Sequence, residues 1–148
     1  MRRTLVIARS WQTEFKIVPA LVLVMFLLGR CAVQAQQKPE QIAAQAADAW
    51  LALVDSSRYA ESWQDASPSF KARTSREQWE KAMGGIRDPL GKLRSRTRTL
   101  ADYSKAPDGE HVLIQYDSRF ERQPSAVETI TSLRDKNGTW RVTGYLIK

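Results

Sequence analysis

Glu128 is the residue of this sequence best placed to do chemistry. It interrupts the apolar stretch Ala126-Val127-Glu128-Thr129-Ile130. The strand pairing expected below sets it near Ser118 and Ile147, with Tyr116 and Tyr145 on the same sheet face. A carboxylate among aromatic rings is poorly hydrated, so its pKa rises and it can act as a general acid–base or orient a ligand. The competing reading is a structural carboxylate, tied to neighbouring hydroxyls or to an arginine. Tyr116, Tyr145 and Trp50 join Glu128 as candidate ligand-binding residues. Asp117 falls on the opposite face and so cannot pair with Glu128, although a one-residue slip would reverse that.

Other chemistry is thin. His111 is the single histidine. It opens a strand beside a turn, with no second histidine or cysteine to complete a metal site, so an ordinary exposed side chain is expected. No Gly-rich phosphate loop follows a strand, and no Gly-x-Ser-x-Gly elbow occurs. No metal and no cofactor are therefore expected. Lys92, Arg94, Arg96 and Arg98 alternate with Leu93, Ser95, Thr97 and Thr99, which sets four positive charges on one strand face. They are candidates for an anionic surface such as lipid head groups. They equally suit a solvated edge strand, where charge prevents edge-to-edge aggregation. No aromatic row lies between these cations, which argues against nucleic acid.

Four strands must position these groups. Lys92 to Tyr103 is the first. Val112 to Phe120, Ala126 to Leu133 and Thr139 to Ile147 follow, rich in β-branched and aromatic residues. Ala106-Pro107-Asp108-Gly109, Arg122-Gln123-Pro124 and Asn137-Gly138 separate them. Asn137-Gly138 predicts a two-residue type I′ turn, with Lys136 facing Thr139 and Leu133 facing Val142.

Helices come first in the chain. Pro39 suits a first helical position. Ile42, Ala46, Ala49, Trp50 and Leu53 give an apolar stripe running to about Asp55. A short helix holds Tyr59 and Trp63, and Ser67-Pro68 caps a turn anchored by Phe70. A capping box, Thr74 with Glu77 or Ser75 with Gln78, opens a third helix carrying Trp79, Met83, Ile86 and Leu90. Pro89 and Gly91 mark its end. Helices followed by an antiparallel meander predict an α+β fold, with the helices packed on one side of a curved four-stranded sheet.

The N-terminus reads as a secretory signal. Arg2, Arg3, Arg9 and Lys16 precede the apolar run Ile17 to Leu28, and Val33-Gln34-Ala35 offers cleavage before Gln36. Twelve apolar residues fall short of the roughly 20 that span a bilayer. The expected layout is a signal peptide at 1–35, a linker at 36–38 and one domain at 39–148. The alternatives are an inner-membrane anchor at residues 17–28, or lipidation at Cys31, the sole cysteine. The chain holds 23 basic and 16 acidic residues, net +7; residues 1–35 account for five and one of these, leaving +3. The basic excess thus belongs largely to targeting.

Sorted by the expected register, one sheet face carries Val112, Ile114, Tyr116, Phe120, Ile130, Tyr145 and Ile147. The other carries Leu113, Val127, Leu133, Trp140, Val142 and Leu146. Both are too apolar to sit in water, and three short helices cover only one. A homodimer or partner on the second face is therefore expected. One wrapped sheet with a larger inner face is the alternative.

The stretches Ala49-Trp50-Leu51-Ala52-Leu53-Val54-Asp55, Tyr59-Ala60-Glu61-Ser62-Trp63, Ala66-Ser67-Pro68-Ser69-Phe70, Glu77-Gln78-Trp79, Pro89-Leu90-Gly91, Val127-Glu128-Thr129 and Trp140-Arg141-Val142 resemble a bacterial domain-of-unknown-function family numbered 4019. The family is similar in looking exported, and the resemblance implies no activity. The element order also resembles the cone of nuclear-transport-factor-2-like proteins, a shape shared by enzymes, binders and dimer modules. The leading expectation is a non-enzymatic periplasmic or secreted module that binds a small apolar ligand, a peptide or a second copy. The alternatives are an isomerase- or cyclase-like enzyme using Glu128, and a membrane-tethered accessory domain.

Overall fold

The computed structural model describes residues 37–148, which form one compact unit. The expected signal segment, the anchor at 17–28 and Cys31 lie outside the described residues. Four helices precede four strands: α1 (Pro39–Asp55), α2 (Tyr59–Asp65), α3 (Pro68–Arg73), α4 (Arg76–Leu90), β1 (Leu93–Ala106), β2 (Gly109–Phe120), β3 (Ala126–Arg134) and β4 (Trp140–Ile147). The strands form one antiparallel sheet in sequence order, and the helices cover one of its faces. The α+β expectation holds. Among the described residues no helix is long and apolar enough to cross a membrane.

The caps follow local chemistry. Pro39 opens α1. The Phe70 amide donates to Ser67 Oγ at 3.1 Å, which caps α3. The Gln78 amide donates to Ser75 Oγ while Gln78 Oε1 accepts from the Ser75 amide, so of the two candidate boxes it is Ser75–Gln78 that opens α4. Pro89 sits inside the last turn, and Gly91 ends the helix at φ +75°. A Cβ on Gly91 would meet Glu121 Cβ at 2.9 Å, so the β2–β3 loop packs against bare backbone there.

Both long helices depart in part from their expected stripes, keeping Trp50 on α1 and Trp79 and Met83 on α4. α1 buries Ala43, Ala44, Ala47, Trp50, Leu51 and Val54, and leaves Ile42 exposed. α4 buries Trp79, Met83 and Arg87, and leaves Ile86 exposed. In each case the face turned to the sheet is the one that makes the polar connections. Trp50 Nε1 donates to the Ser62 carbonyl at 2.7 Å, and Trp79 Nε1 donates to Ser62 Oγ at 2.9 Å. These bonds fasten α2 to both helices. Trp50, Trp79, Phe70 and Tyr145 fill the helix–sheet interior as a cluster of tilted and edge-on rings with centroids 5.1–6.3 Å apart.

The last hairpin corrects the register. Asn137 does not take positive φ; Gly138 alone does, at +88°. The Gly138 amide donates to the Asp135 carbonyl, and Asp135 rather than Lys136 closes the loop against Thr139. Leu133 therefore faces Arg141, and Ser132 faces Val142. A bulge between Thr131 and Ser132, with Thr143 as the extra residue on β4, then restores the expected pairing of Glu128 with Ile147. The bulge switches the side-chain alternation of β4, so Trp140 and Val142 point inward along with Tyr145. The outer face thereby loses two of the apolar residues expected on it.

Candidate functional site

Glu128 is 0 % exposed on the inner face of β3, opposite Tyr116 on β2 and Ile147 on β4. Each of its oxygens accepts two bonds. Oε1 accepts from Arg87 Nη1 at 3.0 Å and from the Tyr145 hydroxyl at 2.7 Å. Oε2 accepts from Arg96 Nε at 2.7 Å and from Ser118 Oγ at 2.5 Å. The two arginines then converge on a second carboxylate. Arg87 Nη2 donates to Asp55 Oδ1 at 2.5 Å, and Arg96 donates to both Asp55 oxygens at 2.7 and 3.0 Å. The result is a closed, electrically neutral ring of two acids and two arginines.

Each member comes from a different element. Asp55 ends α1, where the helix dipole disfavours an anion, so its placement depends on the two cations. Arg87 lies in the last turn of α4, where the dipole favours a cation; it is 5 % exposed and stacks over Phe120 at 4.5 Å. Arg96 comes from β1, and its guanidinium stands 5.9 Å from the Tyr116 ring centre. The ring thus joins α1, α4, β1 and β3, with β2 and β4 contributing Ser118 and Tyr145.

The titration behaviour follows from this pairing. Burial pushes the Glu128 carboxyl up, but Arg96, Ser118 and Tyr145 reverse the effect and hold it below its ordinary value of 4.5. Burial, reinforced by the Glu128 carboxylate, pushes the Tyr145 phenol up. Burial opposes the Arg96 charge, yet its bonds to Asp55 and Glu128 raise its pKa further. At neutral pH Glu128 is ionised and Arg96 is charged. A carboxylate in this state has no proton to give and no vacant lone pair directed at a substrate.

The other candidates separate. Trp50 is a core residue, 3 % exposed. Tyr116 is buried and donates to Asp48 Oδ1 on α1 at 2.7 Å; burial, then Asp48, push its phenol up. Tyr145 joins the ring. The four-cation stripe does not form one face, because the irregularity between Leu93 and Ser95 parts Lys92 and Arg94 from Arg96 and Arg98, which lie opposite Ser118 and Tyr116. Arg96 turns into the ring, Arg94 pairs with Glu121 at 2.8 Å, and Lys92 and Arg98 remain exposed. Asp117 stands on the opposite face from Glu128, as expected. Nε2 of His111 lies 3.0 Å from Asp108 Oδ1 in the β1–β2 turn. Among the described residues no three His, Cys, Asp or Glu side chains converge as a metal site.

Arg87 and Asp55 are the ring members that the sequence reading did not single out. A signal for Arg87 existed: it follows Trp79 and Met83 at two successive steps of four, on the face those residues bury. A cleft of about 310 Å³ opens beside the ring, among Asp55, Ser57, Tyr59, Arg87, Lys92 and Arg122. A smaller one of about 190 Å³ lies among Trp50, Asp65, Trp140 and Arg141.

This is an α+β domain whose helices and buried ion pairs share one side of an antiparallel sheet. The family model described as "Protein of unknown function (DUF4019)" matches residues 46–145, and the chain belongs to that family. No curated protein matches the sequence. Two solved structures are similar at low identity. One is a protein of Catenulispora acidiphila at 10 % identity and TM-score 0.49, covering 72 % of this chain and 88 % of that one. The other is Aln2 from a Streptomyces species at 12 % identity and TM-score 0.49, covering 76 % and 92 %.

Proposed function

We propose that this chain is a non-catalytic, exported module of the cell envelope, whose domain serves as a rigid platform for protein contact. The observation that carries the reading is the saturation of Glu128: four donors on two oxygens, no exposure, and two arginines shared with Asp55. An acid–base enzyme needs the reverse, a carboxyl with a raised pKa that reaches a cavity. The helix–sheet interior is occupied by Trp50, Trp79, Phe70 and Tyr145, which leaves little room for an apolar ligand beside Glu128. Export rests on the basic and apolar N-terminal pattern.

Carboxyl-selective NMR titration of the folded protein tests the non-catalytic reading. Glu128 is expected to stay ionised from neutrality to below pH 4.5. A Glu128 carboxyl titrating near neutrality would restore the isomerase- or cyclase-like alternative. The mass of the chain recovered from its own envelope tests export. A chain starting at Gln36 is expected, and an intact N-terminus would favour the membrane-tethered alternative.

A further inference from the structure

Resting on that reading of the domain as a platform, we infer that the groove between α1 and the start of β4 is where the partner protein docks. It receives one small apolar residue of an extended peptide. The Trp140 indole donates to a carbonyl of that peptide, and the Asp65 carboxylate accepts from one of its amides.

Trp50, Trp63, Trp79 and Trp140 lie among the described residues, and the first three have satisfied indoles. Trp50 Nε1 and Trp79 Nε1 donate to the carbonyl and the hydroxyl of Ser62, and Trp63 Nε1 donates to the Thr74 carbonyl at 2.7 Å. Trp140 is 6 % exposed and packs in the core, yet its N–H has no acceptor among the described residues. The unpartnered polar side-chain atoms sealed from solvent there are Glu40 Oε2 and Ser132 Oγ. The Trp140 N–H is not one of them, so the small open part of this residue includes its donor. A buried indole ordinarily finds a partner for its N–H, because an apolar wall hydrates that group poorly. The bulge on β4 is what turns this ring inward, away from the outer face.

The groove that Trp140 lines holds about 190 Å³. Ala46, Ala49 and Val142 form its apolar lining, and Asp65 and Arg141 are its polar groups. Arg141 is already committed: Nε donates to Asp135 Oδ2 at 3.1 Å, and Nη1 donates to the Asp65 carbonyl at 3.2 Å. The Asp65 carboxylate is exposed at the end of α2 and has neither an ion pair nor a donor among the described residues. The groove thus sets one free donor and one free anionic acceptor about an apolar lining.

That pairing selects the occupant. A carboxylate or phosphate would satisfy the indole but meet the charge of Asp65. An ammonium group would satisfy Asp65 and leave the indole without an acceptor. An apolar molecule satisfies neither. A sugar offers both kinds of group, but it also turns hydroxyls toward Ala46, Ala49 and Val142, where nothing pairs them. An amino-acid residue within a peptide carries a carbonyl, an N–H and an apolar side chain together.

Size agrees with this. The groove lies below the roughly 300–1,000 Å³ of pockets that enclose a whole small molecule, so it takes one residue of a longer chain. Main-chain bonds then hold the peptide, and the short side chains of Ala46 and Ala49 limit what enters beside them.

NMR of the indole N–H groups tests the inference, on isotope-labelled protein recovered from its own envelope. The Trp140 indole proton should exchange with water faster than those of Trp50, Trp63 and Trp79. A protected Trp140 proton would show a donor already paired and would overturn the inference. The probe for binding is N-acetyl-valine N-methylamide, one apolar residue with an amide on each side. It should shift the Trp140 indole resonance with a dissociation constant of about 1–10 mM. Trp140→Phe keeps an aromatic ring without the N–H and should weaken binding about tenfold, read at the Ala49 backbone amide. Asp65→Ala alters an exposed side chain and should weaken it about threefold. No shift by about 100 mM diamide, or full affinity in both variants, would overturn the site. Isovalerate or glucose binding more tightly than the diamide would overturn the peptide as its occupant. The platform reading fails separately, on a Glu128 carboxyl that titrates near neutrality.

Discussion

The same four strands build two faces that solve opposite problems. The inner face, with the helices over it, buries four charges, Asp55, Arg87, Arg96 and Glu128, and pairs them with one another. The outer face carries Asp117 on the inner strand β2 and leaves Leu100, Leu113, Val127 and Leu146 in water. The difference teaches where the fold is held. A buried ion ring confers little net stability over apolar packing, but removing one member is severe because the others are left uncompensated. Such a face is committed to holding the fold. The outer face takes no part in the ring, and its exposed side chains contribute less to holding the fold.

The largest expected effect breaks the inner face. Arg87→Met leaves Glu128 and Asp55 each short of a cation and should cost about 3–5 kcal/mol, read by urea unfolding. Acid acts on the same ring from the other side. The unfolded Glu128 carboxyl takes up its proton near 4.5, and the folded one takes it up below that. The contribution of Glu128 is therefore complete above about pH 4.5 and is lost as the pH falls through its folded value. Stability should be flat from neutrality to that point and then decline, as read by unfolding at a series of pH values. Next comes Gly91→Ala, which forces a side chain into positive φ and against Glu121, and should cost about 1–3 kcal/mol by thermal unfolding. The smallest effect belongs to the outer face: Leu146→Glu should change monomer stability by no more than about 0.5 kcal/mol. A large loss there would erase the contrast between the faces.

Much of this contrast was legible in the sequence, and its failures have physical causes. The helix order and the caps at Ser67 and Ser75 follow from local chemistry, and Glu128 shares a face with Ser118 by period-two alternation, but its expected pairing with Ile147 is met only because the bulge on β4 offsets the shifted hairpin register. The inward turn of Trp140 and Val142 was not legible, because a bulge at Thr143 leaves no mark in composition. The fate of Arg96 was hidden for the same reason. In a regular β1 it is one of four equivalent cations; the irregularity at Arg94 parts it from Lys92 and Arg94, Arg98 stays on its side of the strand, and Asp55 and Glu128 claim Arg96. Arg87 was missed because an arginine at the end of a helix is ordinarily a solvated cap, whereas here Phe120 and Glu128 make burial tolerable.

The measurement that bears most directly on these two faces is urea unfolding of Glu128→Gln beside Leu113→Arg, with the unchanged chain as reference. Glu128→Gln keeps the shape but removes the charge that both arginines share, so a loss of about 3–5 kcal/mol is expected, with Leu113→Arg within about 0.5 kcal/mol of the reference. A Glu128→Gln chain as stable as the reference would contradict the account. It would mean that the carboxylate is not needed to hold the fold and stands free for another purpose.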